Sequence, residues 1–240
     1  TNDGANIIAL NNGFVVTSYS NDGYGVQMYN NAGASLNINA PATYTSSVNP
    51  NSYAIASADG GFILLWTRNN YQTLDFQRYD SSGNQVGATV SSTFTTTTPF
   101  IQGAAVDANG NLAIPVSSGD VYTHSQVMMW NSANSLTGTY NTAYYQTAPI
   151  VTAMYGGGFD LFGNDVSPGV GNTSNAYHIQ SLAVDGSLSQ TISNVIQVSY
   201  LKSLARSLSG DYFAVGGADA SINDGYFVNG FNPSFLPKRA

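Results

Sequence analysis

Five short loops hold the side chains whose types and grouping suit chemistry. They are Asn21, Asp22 and Tyr24; Asn69, Asn70 and Tyr71; Asp120 and Tyr122; Asn164 and Asp165, with Tyr177 further on; and Asn223, Asp224 and Tyr226. Carboxylates and amides beside a phenol ring are what sugar recognition uses. Hydroxyls need directional donors and acceptors, and the apolar face of the sugar stacks on an aromatic ring. Five such loops on one rim would make a multivalent surface whose weak sites combine by avidity. Turn chemistry accounts for the same residues: Asn-Asp-Gly reverses the chain and the Tyr then opens the next strand. From sequence, both readings stay open.

Other chemistries are less well supplied. A calcium ion takes about six to eight oxygens. Each loop offers a single aspartate and no D-x-D-x-D-G run occurs, so Asp22 and Asp224 read as turn residues and no metal is expected. Glycoside hydrolysis needs two carboxylates, one with a raised pKa. The chain has 13 acidic residues and no glutamate, so both roles would fall to aspartate. Asp160, which interrupts the apolar run Phe159–Phe162 and is placed to face a central axis, is the strongest candidate, ahead of Asp75 and Asp120. Such an Asp also serves as a plain hydrogen-bond acceptor. His124 and His178 stand far apart with no cysteine and no zinc-ligand spacing. A Ser–His–Asp triad stays open because its members can be distant in sequence, though no G-x-S-x-G elbow occurs. Gly156-Gly157-Gly158 lacks the strand–loop–helix context of a phosphate site, so no cofactor is expected. Asn172-Thr173-Ser174 fits a glycosylation acceptor, a match expected by chance in so Asn- and Thr-rich a chain.

Composition narrows the elements that position these residues. Only 8% of the 240 residues are charged, helix-favouring Glu, Lys and Arg are nearly absent, and Thr, Tyr, Val, Asn, Ser and Gly abound, which favours strands and turns. The net charge of −7, with just six Lys and Arg, argues against a nucleic-acid partner. No apolar run is long enough to insert in a membrane. A start at Thr1 without a signal sequence reads as a processed or excised segment. The absence of cysteine suits a bacterial surface protein better than a disulfide-stapled ectodomain.

Two anchors recur in phase. An apolar strand follows a turn at Phe14, Phe62, Leu112, Phe159 and Tyr212. A bulky residue closes the next strand at Tyr29, Tyr79, Trp130, Leu182 and Phe231, with successive spacings of 50, 51, 52 and 49. The spacing predicts five units of about 48 residues, at roughly 1–48, 49–98, 99–146, 147–198 and 199–240, in a single domain spanning 1–240. The second strand of unit two, Phe62–Thr67, is apolar on both faces, whereas a sheet with one wet face alternates. First strands are small, as at Ala54, Ala56 and Gly103–Ala105, which suits convergence on a narrow axis. The expected fold is an all-β, five-bladed β-propeller. Pro115 predicts local irregularity in unit three, the stretch Ser91–Thr98 an outer strand or extended linker, and unit five lacks an evident fourth strand.

Asp59-Gly60-Gly61-Phe62-Ile63-Leu64-Leu65-Trp66 and Gln77-Arg78-Tyr79-Asp80-Ser81-Ser82-Gly83-Asn84-Gln85-Val86-Gly87 carry a resemblance. They are similar to the D-G-G-F-V-V-x-W and Q-R-Y-D-x-x-G-x-x-V-G segments of repeats in large bacterial secreted and cell-surface proteins. The other units keep the Gly turn and the anchors but not Trp66, Arg78 or Asp80. The resemblance implies a propeller-like array in an extracellular, adhesin-like protein and carries over no catalytic residue. The expected function is a non-enzymatic surface module for adhesion or assembly, with a glycan or surface-protein partner at the Asn/Asp–Tyr loops. Alternatives are a self-assembling subunit of a layer, sheath or filament, and a five-bladed glycoside hydrolase. Few charges, 16 tyrosines and an open strand edge near Phe235 and Leu236 favour the former.

Overall fold

The computed structural model describes residues 4–20, 23–38, 52–68, 72–94, 100–101, 103–117, 126–142, 150–164, 176–197, 200–207, 211–217 and 226–231. All the secondary structure among them is β, in twenty strands. The chain divides into two compact units, Thr1–Ile101 and Gln102–Ala240.

The first unit holds two sheets in simple meander order. Sheet one is β1 (Gly4–Leu10), β2 (Gly13–Ser20), β3 (Gly23–Asn30) and β4 (Ser35–Leu36). Sheet two is β5 (Ser52–Ala56), β6 (Phe62–Arg68), β7 (Thr73–Tyr79) and β8 (Gln85–Thr93), and the short strand β9 (Phe100–Ile101) ends the unit. The second unit holds three sheets. They are β10 (Ala105–Val106), β11 (Leu112–Ser117), β12 (Gln126–Trp130), β13 (Leu136–Asn141); β14 (Ile150–Ala153), β15 (Phe159–Asn164), β16 (Ala176–Leu182), β17 (Leu188–Gln197); and β18 (Tyr200–Arg206), β19 (Tyr212–Gly217), β20 (Tyr226–Phe231). The last sheet has three strands among the described residues, as its sequence implies. Residues 91–93 belong to the outer strand β8, whereas 95–98 lie outside the described residues.

The two anchor series face each other in every sheet. Phe14 pairs with Tyr29, Phe62 with Tyr79, Leu112 with Trp130, Phe159 with Leu182 and Tyr212 with Phe231. Phe62 and Tyr79 stack with ring centroids 4.6 Å apart, and Phe14 and Tyr29 at 5.0 Å. In sheets one, two and four the residue before the first anchor is a glycine, whereas Asn111 and Asp211 stand there in sheets three and five. A Cβ added to Gly61 would lie 2.0 Å from the Tyr79 carbonyl oxygen, and one on Gly158 2.5 Å from that of Leu182. The recurring glycine thus lets second and third strands close behind the anchor pair.

Both faces of β6 are covered, as its continuous apolar run predicts, and so are those of β11 and β15, whereas Phe213 of β19 is exposed. Phe62, Ile63, Leu64, Leu65 and Trp66 are all buried. Phe62, Leu64, Trp66, Tyr79 and Ala54 pack against Val15 and Met28 of sheet one. In the second unit Phe159, Leu161, Leu182 and Val151 pack against Ala105, Ala113, Val127 and Met129. Unit three is locally irregular, as Pro115 predicts: β10 pairs with β11 over two residues and a bulge falls at Met129/Trp130, while β11 itself runs through Pro115 in register with Val127. Pairing with β10 covers only Leu112 and Ala113, so that ladder never requires an N–H from residue 115.

The turns at 30–34, 57–61, 80–84, 107–111, 131–135, 154–158 and 183–187 share one design, whereas β1 and β2 join through the two-residue turn Asn11-Asn12. The first residue of the turn donates its N–H to the carbonyl four residues on, and its own carbonyl accepts from the N–H three residues on. Asn30, Asp80, Asp107 and Asn131 occupy that first position, and each Oδ1 accepts from the backbone N–H groups two and four residues later. The fourth residue is left-handed, as at Gly83 (φ 83°), with Asn134 (φ 66°) the non-glycine case.

Residues 77–87 of sheet two therefore have architectural tasks. The Gln77 amide donates to the carbonyls of Arg78, Val86 and Gly87, across the bulge at Phe76/Arg78. Tyr79 is an anchor, Asp80 caps its turn, and Gly83 and Gly87 take positive φ.

Candidate functional site

The Asn/Asp–Tyr loops fall between second and third strands, at the end of each sheet opposite its tight turns. Tyr24 is the second residue of β3, with its backbone opposite Tyr19. Asn164 ends β15 opposite Tyr177, and Tyr226 opens β20 opposite Gly217. Asn21, Asp22, Asn69, Asn70, Tyr71, Asp120, Tyr122, Asp165, Asn223 and Asp224 lie outside the described residues, as do His124, Phe235 and Leu236.

Three aspartates from the middle of strands and turns are instead gathered into fixed bonding sets. Asp160, in β15, is 0% exposed. It is closed off from solvent. Its carboxylate is closed in the seam between the fourth and fifth sheets, where Ser181 donates to Oδ1 at 2.6 Å. Tyr212 donates to Oδ2 at 2.6 Å, and Arg206 pairs with the same oxygen at 2.9 Å. The guanidinium carbon lies 5.3 Å from the centroid of the Tyr212 ring, and that ring meets Phe162 edge-on at 5.2 Å. Burial, then the hydrogen bond to Asp160, pushes the Tyr212 phenol well above its ordinary range. At neutral pH it is a neutral donor, matched to a carboxylate. Register explains the set: Asp160 lies opposite Ser181 within its sheet, while Arg206 and Tyr212 lie opposite each other in the next.

Asp75 is held similarly inside sheet two. Arg68 reaches it with Nε at 2.5 Å, and Ser91 donates at 2.5 Å. Trp66 and Ser91 are the residues opposite Asp75 on either side. Asp107 is 1% exposed and accepts from the N–H groups of Asn109 and Asn111 and the Asn111 amide. Its Oδ2 also accepts from the N–H of Gly158 in the next sheet at 3.0 Å. That reach has a local reason. The equivalent turn of the fourth sheet begins with Met154, which has no carboxamide or carboxylate to cap it, and Asp107 supplies the acceptor from the preceding sheet.

Sequence reasoning picked out Asp160 but not Arg206, Ser181 or Tyr212 as its partners. A buried carboxylate in an apolar strand announces that donors exist somewhere. Which strand supplies them depends on how consecutive sheets stack. His178, the other histidine, is buried in β16, opposite Gly163.

No protein-family model matches the chain, and no curated protein matches it. Among solved structures it is similar to BBS1N in complex with ARL6DN, at a TM-score of 0.52 in both a mercury-soaked crystal (11% identity, 89% of this chain and 62% of that one) and a lead-soaked crystal (13%, 99% and 63%). The chain thus spans less than two thirds of those structures. It is also similar, at a TM-score of 0.48 and 11% identity over 88% of this chain and 80% of that one, to a structure presented as an exo-β-1,3-galactanase from Bifidobacterium bifidum s17. The fold is all-β and propeller-like. At such identities the likeness speaks to fold alone.

Proposed function

We propose that the chain is a five-bladed β-propeller acting outside the cell as a non-enzymatic surface module for adhesion or assembly, with glycans or surface proteins as ligands. The observation that carries this reading is the use made of the carboxylates. Asp160, the best candidate for an acid or nucleophile, is fully buried and satisfied by Ser181, Tyr212 and Arg206. Asp75 and Asp107 are likewise buried and committed to fixed donors. A glycosidase instead needs two carboxyl groups flanking an accessible bond. The likeness of 59–66 and 77–87 to surface-protein repeats supports the same reading, because the residues that carry it build turns, anchors and a bulge.

The self-assembling alternative is favoured by the outer strands. β8 and β13 are largely exposed and contain no charged residue, whereas edge strands are usually guarded by Lys or Pro. The test combines a printed glycan array, a turnover assay on aryl β-glycosides and a concentration series in analytical ultracentrifugation. Binding or self-association without turnover is expected. Turnover abolished by Asp160→Asn, in a variant that remains folded, would overturn the reading.

A further inference from the structure

We propose that the paired turns at 107–110 and 154–158 form a binding platform for a neutral hexopyranose, with Tyr155 as the stacking face. This rests on the glycan-binding reading above, but places the site at the opposite end of the sheets from the Asn/Asp–Tyr loops.

Tyr155 is 73% exposed, the most open large hydrophobic among the described residues. A lone exposed tyrosine is ordinary on a protein surface. This one is unusual in how its backbone is held. The turn beneath it is Gly156-Gly157-Gly158, and both Gly157 (φ 95°) and Gly158 (φ 86°) occupy conformations that side-chain-bearing residues rarely adopt. Space around Gly156 is open, with nothing within 4 Å of where a Cβ would stand. The turn is closed by Met154 N–H to Gly158 carbonyl and Gly157 N–H to Met154 carbonyl bonds. It is then pinned from the neighbouring sheet by the buried Asp107, which accepts from Gly158 N–H at 3.0 Å.

The same carboxylate orders the adjoining turn through Asn109 and Asn111. Asn109 is exposed, and its amide nitrogen lies 2.8 Å from the position a Gly157 Cβ would take. One buried carboxylate thus holds the backbone of both turns, and the exposed Asn109 amide lies directly beside the glycine turn that carries an exposed phenol. An aromatic face for the C–H side of a sugar and an amide for its hydroxyls are the two parts sugar recognition needs, and rigid mounting lowers the ordering cost of binding. The net charge of −7 selects against sialylated or uronic-acid polymers and for neutral sugars.

The experiment titrates the chain with methyl β-D-glucopyranoside and methyl β-D-galactopyranoside. It follows ¹⁵N shifts and saturation transfer in wild type, Tyr155→Ala, Tyr155→Phe and Asn109→Ala. The expected result is shifts at 108–110 and 155–158, affinity lowered about tenfold by Tyr155→Ala and kept by Tyr155→Phe. Melting temperatures should be unchanged, since neither side chain supports the core. If wild type binds and Tyr155→Ala binds equally well, the platform is wrong while the glycan reading survives. If wild type binds neither these probes nor any glycan on an array, both fall.

Discussion

Replacing Asp160 by alanine is the sharpest test of how the fourth and fifth sheets are joined. The carboxylate is wholly buried and accepts from three donors, two of them on the neighbouring sheet. Its removal takes the Asp160 acceptor from the Tyr212 hydroxyl and leaves Arg206, whose side chain is 24% exposed, without its buried carboxylate. Breaking a fully buried ion pair costs about 3–5 kcal/mol. Arg206 can recover part of its hydration through its exposed side, so the lower end applies, about 3 kcal/mol. For a chain of this size that corresponds to a fall in Tm of roughly 6–12 °C. Asp160→Asn keeps the shape but turns a donor toward the guanidinium, and is expected to cost nearly as much. Urea unfolding followed by circular dichroism and calorimetry measures the loss. A double-mutant cycle with Arg206→Met isolates the pair, because with both charges gone most of the penalty should vanish. A cost below about 1 kcal/mol for Asp160→Ala, or strictly additive effects in the cycle, would refute the account.

Asp107→Ala should cost about 2–3 kcal/mol in chemical denaturation, because the N–H groups of Asn111 and Gly158 lose their acceptor in two sheets at once. Gly61→Ala should cost about 3 kcal/mol or more, since its methyl would strike the Tyr79 carbonyl, and loss of near-ultraviolet aromatic dichroism should accompany it. Asp80 has its pKa held below the usual carboxylate range, chiefly by the Asn84 side chain and backbone. Its contribution is therefore present above the ordinary Asp pKa and lost as pH falls through the folded value. Asp80→Asn should keep the neutral-pH melting temperature, as Asn30 and Asn131 cap equivalent turns, while flattening the decline in acid. Burial pushes the Tyr79 phenol up to about 12. Its stabilisation is complete below the ordinary value near 10 and lost as pH rises toward 12, so Tyr79→Phe should reduce the alkaline fall in stability.

Much of the fold was legible because its signals are local. Turn residues at fixed offsets, the glycine before Phe14, Phe62 and Phe159, and the paired anchors all act within one hairpin. Their recurrence marks the five sheets and even the register of Phe62 on Tyr79 and Leu112 on Trp130. The continuous apolar run 62–66 likewise announced cover on both faces. The absence of glutamate and the scarcity of Lys and Arg pointed to strands rather than helices by composition alone.

Other features were decided only by tertiary structure, because they join residues on different sheets. Nothing local ties Asp160 to Arg206 and Tyr212, which follow it 46 and 52 residues later. Nothing near Met154 says that its turn borrows the carboxylate of Asp107. The exposure of Tyr155 was equally hidden, since a tyrosine beside three glycines reads as an ordinary turn until the neighbouring sheet shows what holds it. Short-range hydrogen bonding and close approach write themselves into adjacent residues. Stacking of one sheet on the next places donors beside acceptors by geometry that only the assembled chain possesses.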